Sequence, residues 1–206
     1  MARWVYVPTL GYNVLLGRVL RVRRWWDEVQ PELIVGARPM RGDPQRLRQA
    51  GVTGVVNLCE EFPGPIAEYQ RLGIEQLWIP TTDFHHPPLA DVEAGADFIQ
   101  RHALQGGRTY VHCKAGRARS ATVALWWLVK YRGHTPLSAQ RLLLAARPHV
   151  NPRLYRRPVI QQLYQRLLDT QRTAAQDGEI SESTRPDRAD IRPHPDLPMS
   201  ALDQRK

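Results

Sequence analysis

Tyr110-Val111-His112-Cys113-Lys114-Ala115-Gly116-Arg117-Ala118-Arg119-Ser120 joins two hydrophobic periodicities. The apolar run from Thr109 to His112 predicts a short buried strand, and the helix-period segment from Ala121 to Tyr131 predicts a helix directly after it. Between them a tight loop holds one cysteine, one glycine and three cations. A loop that opens a helix turns its backbone N–H groups, and the positive end of the helix dipole, toward whatever sits above Cys113. The stretch describes an anion cradle with a nucleophile at its floor.

Spacing then selects the chemistry. Five residues separate Cys113 from Arg119, so Lys114, Ala115, Gly116, Arg117 and Ala118 can curl into a half-ring around one tetrahedral oxyanion. Arg119 closes that ring bidentately through its planar guanidinium, a geometry lysine cannot supply. The cations, inward amides and helix end all favour thiolate, which places Cys113 well below the ordinary value of about 8.5. Ser120 is placed to donate a hydrogen bond to the sulfur, and His112 to hydrogen-bond the loop backbone and hold its shape. A strand-end cysteine alone would read as a small buried hydrophobe. With Gly116, Arg119 and Ser120 in register, the run resembles the His-Cys-x5-Arg-Ser signature of cysteine-dependent phosphatases, the tyrosine and dual-specificity superfamily.

The 206 residues fit one domain with a substantial core, and the formal net charge is +9. Residues 173–206 are slightly acidic, so the folded part is more basic than the whole. A basic surface implies an anionic partner, either a phosphorylated substrate or an acidic lipid. No RNA-recognition aromatic signature accompanies the charge, so nucleic acid is not expected. Two cysteines and no secretory signal fit a reducing, cytoplasmic compartment, and no apolar run of about 18 residues offers a membrane span.

Residues 1–26 carry Arg3, Arg18, Arg21, Arg23 and Arg24 and no acid. From Tyr12, the residues Leu15, Val19, Val22 and Trp26 follow one face of a helix, with Arg18 and Arg21 largely opposite. Two readings stand: a helix packed on the domain, or an interfacial helix in peripheral contact with anionic lipid. In a eukaryotic source such a start also resembles an organelle transit segment, which would place the protein at the inner mitochondrial membrane.

Further along, Trp25–Val29 and Leu33–Gly36 flank a turn at Pro31 and predict a hairpin. Asp43 to Ala50 predicts a short helix with Asp43 as N-cap and Pro44 in the first turn. Val52–Leu58 and Ile74–Ile79 predict strands, and Ile66–Leu72, Ala90–Leu104 and Tyr155–Arg172 predict helices. Another helix runs from Pro136, capped by Thr135, to about Arg147. Alternating strands and helices predict an α/β domain over residues 27–172, with a mainly parallel sheet of four to five strands flanked by helices. Ligands of such sheets bind beyond the carboxyl ends of the strands, where Cys113 falls. After Thr173, prolines and charges replace aromatics, which predicts a disordered tail over 173–206.

A phosphocysteine route needs a proton donor. Asp83 lies in the Pro- and His-rich loop after Ile79, thirty residues before Cys113, a separation that in this superfamily suits the general acid. Asp91 is the alternative, although it also suits the opening of the helix at Ala90. His85 and His86 are adjacent and lack a completing ligand, so no metal and no other cofactor is expected. Glu60 and Glu61 end a strand on the crevice side, either solvated or ordering a loop. Trp126 and Trp127 read as core. Cys59 ends the Val52–Leu58 strand and is a possible partner for a reversible disulfide with oxidised Cys113.

The likeness extends beyond the signature loop. Pro8-Thr9-Leu10-Gly11-Tyr12-Asn13, Arg24-Trp25-Trp26-Asp27-Glu28-Val29, Asn57-Leu58-Cys59-Glu60-Glu61-Phe62 and Ile79-Pro80-Thr81-Thr82-Asp83 resemble the mitochondrial-type and plant phosphatidylglycerophosphate phosphatases. The resemblance covers residues 8–165. It implies a dual-specificity-phosphatase fold, removal of the terminal phosphate of phosphatidylglycerophosphate on the way to cardiolipin, and the roles of nucleophile for Cys113, phosphate clamp for Arg119 and general acid for Asp83. The sequence departs from the family at Cys59, where an asparagine is usual, and at Phe62, where a tyrosine is usual. A protein phosphatase using the same residues is the alternative enzyme, and a non-catalytic module binding phospholipid is a third class. Lys114 and Arg117 exceed what one phosphate needs, which makes the rim attractive for a second anionic group.

Overall fold

Runs of β-branched and apolar residues form the strands. In the computed structural model, which describes residues 11, 12, 14, 15, 20 and 23–183, β1 (Trp26–Gln30) and β2 (Leu33–Gly36) pair antiparallel across the turn at Pro31 and Glu32. Strands β3 (Val52–Cys59), β4 (Glu75–Thr81) and β5 (Arg108–His112) complete a five-stranded sheet of order β1-β2-β5-β3-β4. Every pair beyond the hairpin is parallel, with β5 central. The carboxyl ends of β3, β4 and β5 therefore share one edge, and the residues that follow each of them meet there.

The helices are α1 (Asp43–Gln49), α2 (Ile66–Arg71), α3 (Leu89–Leu104), α4 (Arg119–Arg132), α5 (Pro136–Ala146) and α6 (Pro158–Ser183). The period-2 alternation of the strands divides the core between the two faces of the sheet. Leu33, Val35, Val56 and Val111 join Phe98, Ile99, Val123 and Trp127 in the larger cluster. Ile34, Val55 and Tyr110 join Leu47 and Tyr69 in the smaller one. Helix α4 is buried on all sides from Arg119 to Val129, as expected of a helix central to a core. Gly95 brings α3 against it, because a Cβ there would lie 2.7 Å from Val123. Each fully buried Leu, Ile or Val contributes about 1.5–3 kcal/mol, so the start of α4 sits on a rigid support.

Several expectations need correction. Asp43 is the first helical residue and not the N-cap. Gly42 takes the cap in a left-handed conformation, and the Asp43 carboxylate instead accepts from the Met40 amide at 2.8 Å. Trp26 belongs to β1 and packs edge-on against Tyr110, so it does not continue a helix from Tyr12. Most of that expected helix, and the lipid contact assigned to it, lie outside the described residues. The last helix begins at Pro158, after a 3-10 turn at Leu154–Arg156, and continues to Ser183, past the boundary expected at residue 173. Good helix formers such as Ala174, Ala175 and Gln176 carry it on. The first compact unit ends at Leu168, inside α6. The rest of the expected disordered tail, residues 184–206, lies outside the described residues. Among the described residues no helix is long and apolar enough to cross a membrane.

Candidate active site

The loop from Cys113 to Ala118 connects the end of β5 to the start of α4, and its shape is set from outside. Each carbonyl from Lys114 to Ala118 is engaged away from the loop's interior. The Arg38 amide donates to Lys114 O at 3.3 Å, the Asn151 amide to Arg117 O at 2.8 Å, and the Thr122 amide to Ala118 O at 2.9 Å. Arg147 takes the middle two, donating from Nη2 to Ala115 O at 3.1 Å and from Nε to Gly116 O at 2.9 Å. With the carbonyls held outward, the amides are free to turn inward, as anion binding requires. Gly116 has a φ of +65°, and a Cβ there would lie 2.5 Å from the Gly36 carbonyl, so only glycine fits.

Cys113 is buried at the base of this loop. Burial opposes its ionisation, but the Arg119 charge, the Ser120 hydroxyl and the amides of Ser120 and Arg117 outweigh it and bring the thiol down to about 7. Ser120 Oγ donates to Cys113 Sγ at 3.3 Å. The other cysteine, Cys59, is also buried and unbridged, and burial pushes its thiol well above the ordinary value. Held as a thiol, Cys59 is a slow attacking group toward an oxidised Cys113.

Arg119 is the hub. Its Nη1 donates to Thr81 O at 2.6 Å and to Leu58 O at 3.3 Å, the last turns of β4 and β3. Both Nη atoms reach the Glu61 carboxylate at 3.1 Å, a fork-to-fork pair that fixes the guanidinium plane. Asn57 braces the segment carrying Glu61, accepting from the Cys59 amide at 2.9 Å and donating to Phe62 O at 2.7 Å. Of the two readings open for Glu61, ordering is what the geometry shows, whereas Glu60 is exposed. Asp83 accepts from Arg119 Nη2 at 3.0 Å and pairs with the Lys114 ammonium. Lys114 is 5% exposed, lines the cleft and turns its ammonium onto Asp83.

The remaining expected residues fall into place around a cleft of about 460 Å³, lined among others by Cys113, Asp83, Arg117, Ala118 and Arg119. His85 lines it too, while Asp91 sits in the first turn of α3. Arg117 is exposed and donates from Nε to His149 O at 2.9 Å. His112 was expected to hydrogen-bond the loop. Its ring stacks on Tyr110, with centroids 5.5 Å apart, and reaches the backbone of Cys113, the first residue of the loop. Burial, reinforced by Arg119 and Arg38, holds its acidity constant down to about 3 against an opposing backbone contact at Cys113. Sequence reasoning did not single out Arg147, Arg157 or Phe84, and weighed Glu61 only lightly. Arg157 and Phe84 both line the cleft. Phe84, 75% exposed, is the one non-glycine residue with a positive φ, +68°, among the described residues.

Known proteins share this fold. The family model for the dual specificity phosphatase catalytic domain matches residues 33–166. The chain is 39% identical over 151 residues to the phosphatidylglycerophosphate phosphatase PTPMT2 of Arabidopsis thaliana, across 72% of this chain and 66% of that one, just under two thirds of the plant protein's length. It is 32% identical over 176 residues to the phosphatidylglycerophosphatase and protein-tyrosine phosphatase 1 of Homo sapiens, across 81% of this chain and 88% of that one. A crystal structure of PTPMT1 in complex with PI(5)P superposes with a TM-score of 0.65 at 27% identity, covering 71% of this chain and 99% of that one. The chain belongs to the dual specificity phosphatase family of cysteine-dependent phosphatases.

Proposed function

We propose that this protein removes the terminal phosphate of phosphatidylglycerophosphate, giving phosphatidylglycerol and inorganic phosphate by way of a phosphocysteine. The observation that carries the reading is the convergence of Cys113, Arg119 and Asp83 in one cleft whose lining also holds the cations Lys114, Arg117 and Arg157. The names of the plant and human relatives support the lipid as substrate.

The loop amides and Arg119 bind the three non-bridging oxygens of the phosphomonoester. The Cys113 thiolate attacks phosphorus as the bond to the glycerol oxygen breaks, and Asp83 passes its proton to that oxygen. Ser120 stabilises the sulfur as nucleophile and again as leaving group. The Asp83 carboxylate then takes a proton from water as the water oxygen attacks phosphorus and the S–P bond breaks. Every step uses groups of the chain, water and substrate. The human relative's name also includes protein-tyrosine phosphatase, which keeps a phosphoprotein substrate as a second reading. The lipid reading carries with it peripheral contact with an anionic membrane, supported by the acid-free, arginine-rich residues 1–26.

The test is a substrate panel with purified full-length protein: phosphatidylglycerophosphate in vesicles, phosphoinositides and phosphotyrosine peptides. The highest kcat/KM is expected on phosphatidylglycerophosphate. A clear preference for the peptides would replace the lipid reading with the second one.

A further inference from the structure

Arg157, the residue just before α6, lines the cleft together with Cys113 and Arg119. Its Nη1 donates to the Thr122 hydroxyl at 2.8 Å, a neutral partner on α4. Among the described residues no carboxylate pairs with it or with Arg117, and residues 1–26, partly outside that set, contain no acid at all. Burial depresses the Arg157 guanidinium below its ordinary value, with the Cys113 charge pulling the other way. The contrast with the fully buried cations of the site is sharp. Arg119 has Glu61 and Asp83, Lys114 has Asp83, and Arg147 has Asp27 at 2.5 Å. A partly desolvated cation without a counter-charge is costly, and it is most stable when an anion arrives.

The chemistry of one phosphate leaves Arg157 unused. The loop amides and Arg119 already supply the donors for a phosphomonoester, and the cleft, at about 460 Å³, is in the size range of pockets for whole small molecules. We propose that Arg157, with Arg117, forms a second anion subsite that reads a phosphodiester one glycerol unit away from the phosphate being removed. The inference rests on the phosphatase reading and narrows its substrate class to phosphomonoesters bearing a second anionic phosphate. It also moves the expected second-anion contact from Lys114, which Asp83 occupies, to Arg157.

The experiment compares kcat/KM on two water-soluble substrates, glycerol 3-phosphate and glycerophosphoglycerol phosphate, the deacylated headgroup carrying the phosphodiester. Wild-type protein should prefer the second. In Arg157→Gln that preference should fall about ten- to a hundredfold, the loss of one desolvated charge-assisted contact, and Arg157→Lys should recover part of it. Should Arg157→Gln fail to fold, the exposed Arg117→Gln tests the same ratio, with a smaller drop expected. Equal losses on both substrates would mean that the guanidinium only supports the thiolate, and the subsite would be overturned. A wild-type enzyme indifferent to the phosphodiester would overturn it too. If vesicle phosphatidylglycerophosphate is untouched while the soluble preference exists and collapses in Arg157→Gln, the lipid assignment fails and the subsite stands.

Discussion

Arg147 Nε donates to the carbonyl of Gly116 at 2.9 Å, which ties the end of α5 to the phosphate loop from beneath. The guanidinium is 1% exposed, and it also holds Ala115 O, Arg24 O, Trp25 O and the Asp27 carboxylate. It is a positioning residue: it touches no reacting atom but orients the peptide units whose amides do.

Arg147→Lys keeps the charge and loses the planar fork, so the Gly116 and Ala115 carbonyls can no longer both be held. The loop amides that favour the thiolate should then be less well aimed. The expected result is a fall in kcat/KM of about tenfold on an aryl phosphate, with the acid limb of the pH–rate profile moved to higher pH. A pH profile that keeps its wild-type midpoint while only thermal stability drops would assign Arg147 a purely structural role. Asp27→Asn should weaken the same support, and the double variant should show less than the sum of the two losses, because the pair acts as a unit.

The pH dependence follows from Cys113. Its acidity constant is about 7, below the ordinary thiol value, so kcat/KM on an aryl phosphate should rise with pH through that region as the thiolate forms. Ser120 favours the charged form, so removing its hydroxyl raises the value. Ser120→Ala should shift the limb upward by up to about one unit, the equivalent of one hydrogen bond. Alkylation of the thiol by iodoacetamide, followed against pH, reads the same ionisation without turnover. A downward or absent shift in both measurements would contradict the assigned donor.

Asp83→Asn removes the acid but keeps an acceptor near Lys114 and Arg119. Alkyl phosphates, whose leaving oxygen needs the proton, should lose about 10² to 10⁴ in kcat. An activated aryl phosphate, whose leaving group does not, should lose far less. If both fall together, Asp83 serves to organise Arg119, to which it lies 3.0 Å away, and Asp91 becomes the residue to test as acid.

Much of this was legible because the loop's function is written contiguously. Cys113, Gly116, Arg119 and Ser120 fall within eight residues, and period-2 and period-3.6 patterns on either side place them at a strand–helix junction. The sheet order was not legible, since nothing local says that β5 inserts between β2 and β3. Arg147 and Arg157 were missed for a related reason. Each is one arginine among many, and its meaning comes from a partner 31 or 35 residues away. Glu61 could be placed at the crevice by its position at a strand end, but its fork on Arg119 depends on the turn that Asn57 braces. The Lys114 pair with Asp83 was not legible either, because a loop seen as a ring of charge does not reveal which cation turns onto that carboxylate.

His112 makes a prediction about stability. Its folded value is about 3, held there first by burial, against an ordinary 6.5. The unfolded chain takes up a proton as pH falls through about 6.5, while the folded chain refuses it until about 3, so stability is full above that window and erodes below it. At pH 5 the loss from this residue is about 2 kcal/mol. His149, also depressed to about 3, and His102, depressed by burial, act in the same direction, so the effect should be reduced and not abolished in His112→Gln. Urea midpoints at pH 7 and pH 5 decide it. An undiminished pH difference in the variant would show that His112 is not among the titrating groups.

Phe84 carries two costs at one position. A positive φ of +68° strains a residue with a Cβ by about 1–3 kcal/mol, and the exposed ring gives up the stabilisation that burial would bring. Both costs fall at the cleft wall, directly after Asp83, with the Lys114 ammonium 5.4 Å from the ring centroid and the 57%-exposed Tyr12 lining the same cleft. Strain kept at such a place fits a surface that is covered when a lipid is bound, with the ring against the glycerol and acyl region while the phosphate lies below. Phe84→Gly relieves the backbone strain and deletes the ring. The variant should be as stable as the wild type or more so, while the ratio of its kcat/KM on vesicle-held phosphatidylglycerophosphate to that on the soluble headgroup should fall about tenfold, the scale of one buried phenyl ring. Phe84→Leu, which keeps apolar bulk, should restore most of that ratio. If the ratio holds in Phe84→Gly and stability rises, the ring has no contact with lipid and the strained backbone serves only to aim Asp83.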